Sequence, residues 1–415
     1  MKRLMLIGIF ILAGVAVTAW PRLRATASRV PTKPAVNQGA NAALIYWRAF
    51  ALMPRRSKYL LHIEQSPSFS FLTIPLDKQI RQLDQSAQRS LRLLQHGAEL
   101  VNCHWGLDIS RFGISVQIPE LAKAIQLTNW GILDARIAIA DHHFNRAIRD
   151  YSDGIMLAHA IGRDKTIIGT LVEYSIRRFY LNRMLADNLA KLPAPALNHL
   201  AAVLSRLPAP TPFSYGFNCD NQDKIAWLKR LIRTGRTYQF IKLSEYKKWL
   251  SEYKWGPAFL SKLKSKSRAY WLQQARESIH MLEPYNERGL RAMALPYPQS
   301  IAAVEKLPSN SSLYTSSPGN VADLFIGVPK QGYALQFLVI AQTAMLRAAV
   351  AYLRGGRKAF DAVKDPFGKG PFIYYKMLWP RGSTGQKMVI QSALNVQSIE
   401  PDYYRPITHI TFKLK

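Results

Sequence analysis

The chain has 415 residues, 48% of them hydrophobic, which allows a sizeable core and excludes disorder for most of its length. It carries 56 Lys and Arg against 26 Asp and Glu, a formal charge of +30, which favours anionic partners and says nothing of fold. The only cysteines, Cys103 and Cys219, form no CxxC pair, which argues against a cysteine-based zinc site; an exported domain would permit a disulfide between them, and two buried free thiols are the plainer expectation.

Lys2 and Arg3 precede an apolar run, Leu4 to Trp20, of 17 residues. As a helix this run spans about 26 Å, short for a bilayer but sufficient with flanking anchors such as Trp20, Arg22 and Arg24. Ala25-Thr26-Ala27 fits the small-x-small site of a cleaved signal peptide, but Arg22 and Arg24 stand between it and the apolar run, so a retained anchor is the preferred reading. The expected organisation is an anchor or signal segment at 1–24, a small, polar, Pro-containing linker at 25–40, a helical domain at 41–306, a flexible Ser/Pro/Asn loop at 307–320, and a helix with a small β appendage at 321–415. The body is placed outside the cytoplasm, on the inner membrane of a bacterium or secreted after cleavage.

Asn41 opens a helical pattern stopped by Pro54, with apolar positions Leu44, Ile45, Trp47, Ala51 and Leu52. A second helix is expected over 76–100, with Leu83, Leu91, Leu94 and Leu100 as its core stripe. The most helical stretch, 119–190, breaks near Asp141, near Gly162 and before Pro193, and a further helix covers 196–207. Residues 224–268 hold 13 Lys or Arg against Glu245 and Glu252. A helix over 269–287 and a strongly apolar helix over 336–353 follow. Beyond the turn Asp365-Pro366-Phe367-Gly368 the period changes to that of strands, at 372–375, 388–390 and 408–412. The fold class is mainly α, a helix-hairpin array resembling an α-solenoid, with a small C-terminal β-hairpin or sheet.

Two local resemblances stand out. Ala135, Ala147, Tyr151 and Gly154 fall where a tetratricopeptide repeat places its small and aromatic residues, although Asp134 stands where the repeat prefers Leu and no second copy follows. Asp365-Pro366-Phe367-Gly368-Lys369-Gly370-Pro371-Phe372-Ile373-Tyr374-Tyr375-Lys376 resembles the Asp-Pro-aromatic-Gly hairpin of type II secretion pseudopilins, but Gly8-Ile9-Phe10-Ile11 lacks the acidic residue of a pilin N-terminus, so pilus assembly is not implied. The anchor, the Asn41–Pro54 opening, the Ala-rich hairpins and the late hairpin together resemble a set of uncharacterised membrane-anchored proteins of planctomycete-type bacteria. That resemblance implies architecture and location, and carries no activity.

No GxSxG elbow, SxxK, HExxH or GxxxxGK[ST] loop is present, and no motif implies a cofactor. His142 and His143 adjoin Asp141, with His159 further on; neighbours on a helix point about 100° apart, so only a turn would let the pair share a metal. His104 beside Cys103 reads as a packed loop more readily than as a nucleophile pair. Asp108, Glu120, Glu173 and Glu283 are candidate carboxylates of a hydrolase. The strongest binding candidate is the basic, aromatic stretch: Lys229, Arg230, Arg233 and Arg236 lie near one side of a helix, and Tyr238, Trp249 and Trp255 interleave with Lys242, Lys247, Lys248 and Lys254. Such residues suit an anionic membrane or wall surface; the export segment argues against nucleic acid. The expected function is a non-enzymatic envelope scaffold or interaction protein. The alternatives are an envelope hydrolase with a carboxylate or His site in a helical cleft and a binder of anionic lipid or wall polymer.

Overall fold

Asn41 caps the first helix. Its Oδ1 accepts the Ala43 N–H at 3.1 Å, and α1 (Ala42–Leu52) ends just before Pro54. The computed structural model describes residues 39–54, 71–113, 116–235, 261, 267–308, 329–378, 386–394 and 409–413. The expected anchor, most of the linker and nearly all of the loop at 307–320 lie outside those residues.

The face that α1 buries differs from the stripe of large apolar positions. Ala42, Ala43, Tyr46, Ala49 and Phe50 point into the core, while Leu44, Trp47 and Leu52 face outward. The cause is packing against α2 (Lys78–Ala98), which Asp77 caps through the Ile80 N–H at 2.8 Å. A Cβ at Gly97 would meet the Tyr46 ring at 2.5 Å, so only glycine at the end of α2 lets the two backbones approach. The buried positions of α2 are Ile80, Asp84, Ala87, Ser90, Leu91, Leu94 and Gly97, a helical stripe with a carboxylic acid inside it.

After the short α3 (Ile109–Phe112), α4 (Pro119–Ala140) and α5 (Phe144–Gly162) form a close helix hairpin. Ala135, Ala138 and Ala147 are buried in it, while Tyr151 reaches Asn182 at 3.0 Å and a Cβ at Gly154 would meet Leu181 at 3.0 Å, both in the later stretch Ile176–Asn182. His142 takes φ 61° in the connecting turn, so the break near Asp141 is confirmed. Thr166 caps α6 (Ile167–Ser175), donating its hydroxyl to Asp164 Oδ1 and accepting the Gly169 N–H. The helix then widens into a π-helical stretch, Ile176–Asn182, and narrows again as α7 (Arg183–Asn188). Such wide turns are rare and frequently mark functional or strained sites.

α8 (Ala194–Arg206) is followed by α9 (Phe213–Thr234), which packs along α10 (Arg268–Met293); Asn286 bridges Asn218 and Asn221 in the seam, at 3.0 and 3.3 Å. Gly235 ends α9 in the left-handed region at φ 63°. α11 (Gln299–Glu305) and α8 both pack on α12 (Pro329–Asp361), which bends at Gly355 and Gly356. Among the described residues α12 alone is long and apolar enough to cross a membrane, but 67% of its apolar window is buried in the protein, as for a core helix.

The chain closes on an antiparallel sheet in the order β1 (Ile373–Leu378), β2 (Gln386–Gln391), β3 (His409–Lys413), with Tyr375 opposite Val389 and Ile390 opposite Ile410. Asp365 ties the preceding turn to the end of β2: its carboxylate accepts from the Phe367 N–H at 3.0 Å, the Ser392 hydroxyl at 2.9 Å and the Ala393 N–H. The protein is mainly α-helical with a small C-terminal sheet, and one hydrophobic core runs from α1 to the end of β2.

Candidate functional site

Two buried polar clusters interrupt this core. The first lies where α2, α4 and α5 meet. Asp84 of α2, Asp134 of α4 and Asp150 of α5 converge; Asp84 and Asp134 are buried. The Gln88 amide donates to both Asp84 Oδ2 at 3.0 Å and Asp134 Oδ1 at 3.1 Å. Arg146, at the start of α5, approaches Asp134 at 3.5 Å from the solvent side. Burial first, then the Asp134 charge and a hydrogen bond to it, push the Asp84 carboxyl up to about 7. Burial and the same neighbour raise Asp150 well above the usual carboxylate range. Asp84 Oδ1 and Asp150 Oδ2 are buried and meet no hydrogen-bond partner, and both carboxyls face the Asp134 charge. Burial beside the Asp134 charge therefore favours the protonated form of both Asp84 and Asp150, since like charges in contact resist joint ionisation.

The second cluster sits where the α6 helix widens. Glu173 is 0% exposed and Arg177 2% exposed, and their side chains pair at 2.7 Å. Arg177 also donates to the Pro208 carbonyl at 3.0 Å, and Glu173 accepts the Thr211 N–H at 3.2 Å. His159 Nδ1 lies 3.4 Å from Glu173 Oε1. The Tyr174 hydroxyl donates to the Thr211 carbonyl at 2.6 Å, and Gln336 of α12 accepts the Phe213 N–H at 2.6 Å. The network therefore clamps α5, α6, the segment before α9, and α12 together. A Cβ at Gly162 would collide with the Glu173 carboxylate, so glycine there makes room for the charge.

The carboxylates expected from sequence are engaged separately. Asp108 caps α3 through the Arg111 N–H at 2.9 Å, Glu283 pairs with Lys229 at 2.8 Å, and Glu173 belongs to the clamp. Glu120 is buried in the first turn of α4 and is pushed up to about 7, by burial and then by Asp164; Asp164, under its own burial, is also raised to about 7. Cys103 and Cys219 are free thiols, both raised by burial, Cys103 to about 12. The Asn41 side chain holds the His104 backbone from both sides, accepting its N–H and donating to its carbonyl, each at 2.9 Å, which makes residues 102–105 a packed loop. Among the described residues no group of three His, Cys, Asp or Glu side chains is placed to hold a metal ion.

Of the basic stretch, Lys229, Arg230 and Arg233 are exposed on the last turns of α9, opposite buried Trp227, Leu228 and Leu231. Lys229 is committed to Glu283 of α10, and Arg233 sits at the negative end of the α9 dipole. Arg236, Tyr238, Lys242, Lys247, Lys248, Trp249, Lys254 and Trp255 lie outside the described residues.

No family model, curated protein or solved structure matches the chain. The geometry therefore carries the functional reading alone. Its most informative residues, Asp84, Asp134, Asp150, Arg146 and Arg177, were not singled out from sequence as site residues. Two signals were available: Asp134 interrupts the apolar run Gly131-Ile132-Leu133-Asp134-Ala135, and Asp84 stands four residues after Ile80 on the buried stripe of α2. No sequence signal announces the π-helical widening that carries Arg177 inward.

Proposed function

We propose that this protein is a membrane-anchored, extracytoplasmic helical scaffold whose body engages envelope partners through its surface. The observation that carries this reading is where the polar clusters point. Both are turned inward, each joins three or more chain segments, and their charged members are consumed by one another. Asp84 and Asp134 are held within helix packing behind Arg146, and Glu173 and Arg177 are closed off from water. A scaffold gains from such clamps, because buried polar networks fix one packing among several. The apolar run Leu4–Trp20 and its basic flanks support the location, and the charge of +30 supports an anionic membrane or wall surface as part of the contact.

A second reading rests on one observation: three acids raised to about 7 by burial, Asp84 beside the Asp134 charge and Glu120 beside Asp164, have the chemistry of general acids in a hydrolase. In-cell cross-linking and pull-down with full-length Asp84→Asn, Asp134→Asn and Glu120→Gln variants separates the two. The scaffold reading expects folded variants to keep both the partner set and cellular function. Folded variants that keep the partners and lose function would establish the hydrolase.

A further inference from the structure

α1 is apolar on two sides. Its inner side fills the core, yet Leu44 is 63% exposed and Leu52 42%, with Trp47 half-exposed between them. Positions 44, 47, 48, 51 and 52 share one outward face at helical spacing, and Arg48 and Ala51 are exposed there as well. Beside the start of α1 stands Val101, 92% exposed, on a loop bound to the helix by the Ala42 N–H to the Asn102 carbonyl at 2.8 Å. Trp47 meets Trp105 of that loop edge-on, ring centres 6.2 Å apart, so the aromatic edge is braced from behind. A helix that is apolar all round is normally covered all round; among the described residues this one is covered on one side.

We infer that the outer face of α1 lies on the surface of the bilayer that anchors the chain, with Leu44, Trp47, Leu52 and Val101 entering the headgroup–acyl boundary and Arg48 meeting anionic lipid phosphates. The inference rests on the anchor reading given above. Four features select a bilayer as the occupant. Ala42 follows Trp20 by 22 positions, a reach of at most about 75 Å, which makes α1 the first described helix after the anchor. An 11-residue helix is about 16 Å long, too short to span a membrane and long enough to lie in its plane. Leu and Trp with a flanking Arg are the side chains that interfacial helices use. The net charge of +30 draws the body to anionic headgroups rather than to a second copy of an equally basic chain.

The test places photoreactive p-benzoylphenylalanine at position 44, 52 or, as a control, at exposed Arg149 of α5, in the full chain reconstituted into phosphatidylglycerol–phosphatidylethanolamine vesicles. Lipid adducts at 44 and 52, and none at 149, are the expected result. Adducts to a second copy of the chain or to residues 4–20 would overturn it. So would the absence of lipid adducts in chains that resist alkaline extraction, an outcome that leaves the anchor standing. Chains that alkaline washing strips from vesicles after forming lipid adducts would refute the anchor and uphold the contact.

Discussion

Asp84→Asn is predicted to change the sign of its effect on stability with pH. In the folded protein burial and Asp134 move the Asp84 carboxyl from its usual 3.8 to about 7, so the folded state holds this proton more tightly than the unfolded chain does. Its stabilising contribution is therefore complete below pH 4 and is lost as pH rises through about 7. At about 1.4 kcal/mol per pH unit over that interval, the loss is on the order of 2–4 kcal/mol. Asparagine cannot ionise. Its oxygen can still accept from Gln88, and its amide puts a neutral donor beside the Asp134 charge. The variant is expected to match the wild type or fall slightly below it at pH 5, and to exceed it by about 2 kcal/mol at pH 8. Urea unfolding monitored by circular dichroism at half-unit intervals of pH measures this. A difference between the two proteins that stays constant from pH 5 to pH 8 would refute the raised Asp84 carboxyl.

Arg177→Met is expected to cost about 3–5 kcal/mol, because it removes the ion-pair partner of Glu173 in a site closed to water, and adding Glu173→Gln should restore at least half of the loss in a double-mutant cycle by urea unfolding. Gly97→Ala gains about 1 kcal/mol of helix propensity but drives a methyl into the buried Tyr46 ring, so a net loss of about 1–2 kcal/mol is expected in thermal melts. Cys103, raised to about 12, should react with a thiol-directed reagent at pH 7 about a thousandfold more slowly than free cysteine, as followed by mass spectrometry of the intact chain.

The elements that were readable from sequence are those whose local chemistry and tertiary role agree. The α4–α5 hairpin follows the Ala-rich pattern of the sequence, and Ala135, Ala147, Tyr151 and Gly154 are all buried, although Tyr151 and Gly154 meet Asn182 and Leu181 rather than α4. The strands follow a change of period after Asp365-Pro366-Phe367-Gly368, and Asp365 does structural work there by tying that turn to β2. α1 is legible as a helix, but its buried face is not. Apolar residues surround it, so its largest side chains give no guide to the buried side, which the approach of Gly97 to Tyr46 decides. The buried clusters were hidden for a different reason. Whether an acid on a helix meets water or another acid depends on which helix crosses it, and spacing along one helix carries no such information. Arg177 is the extreme case: an i, i+4 pair with Glu173 ordinarily reads as a solvated surface bridge, and here it is the centre of the core.

The most direct test of the central claim is limited proteolysis of intact spheroplasts from cells carrying the full chain, with fragments followed by antibodies to each terminus. The account predicts that protease added outside destroys the helical body and leaves a membrane-held N-terminal fragment. A body protected until the membrane is broken, or one released into the soluble fraction without protease, would contradict it.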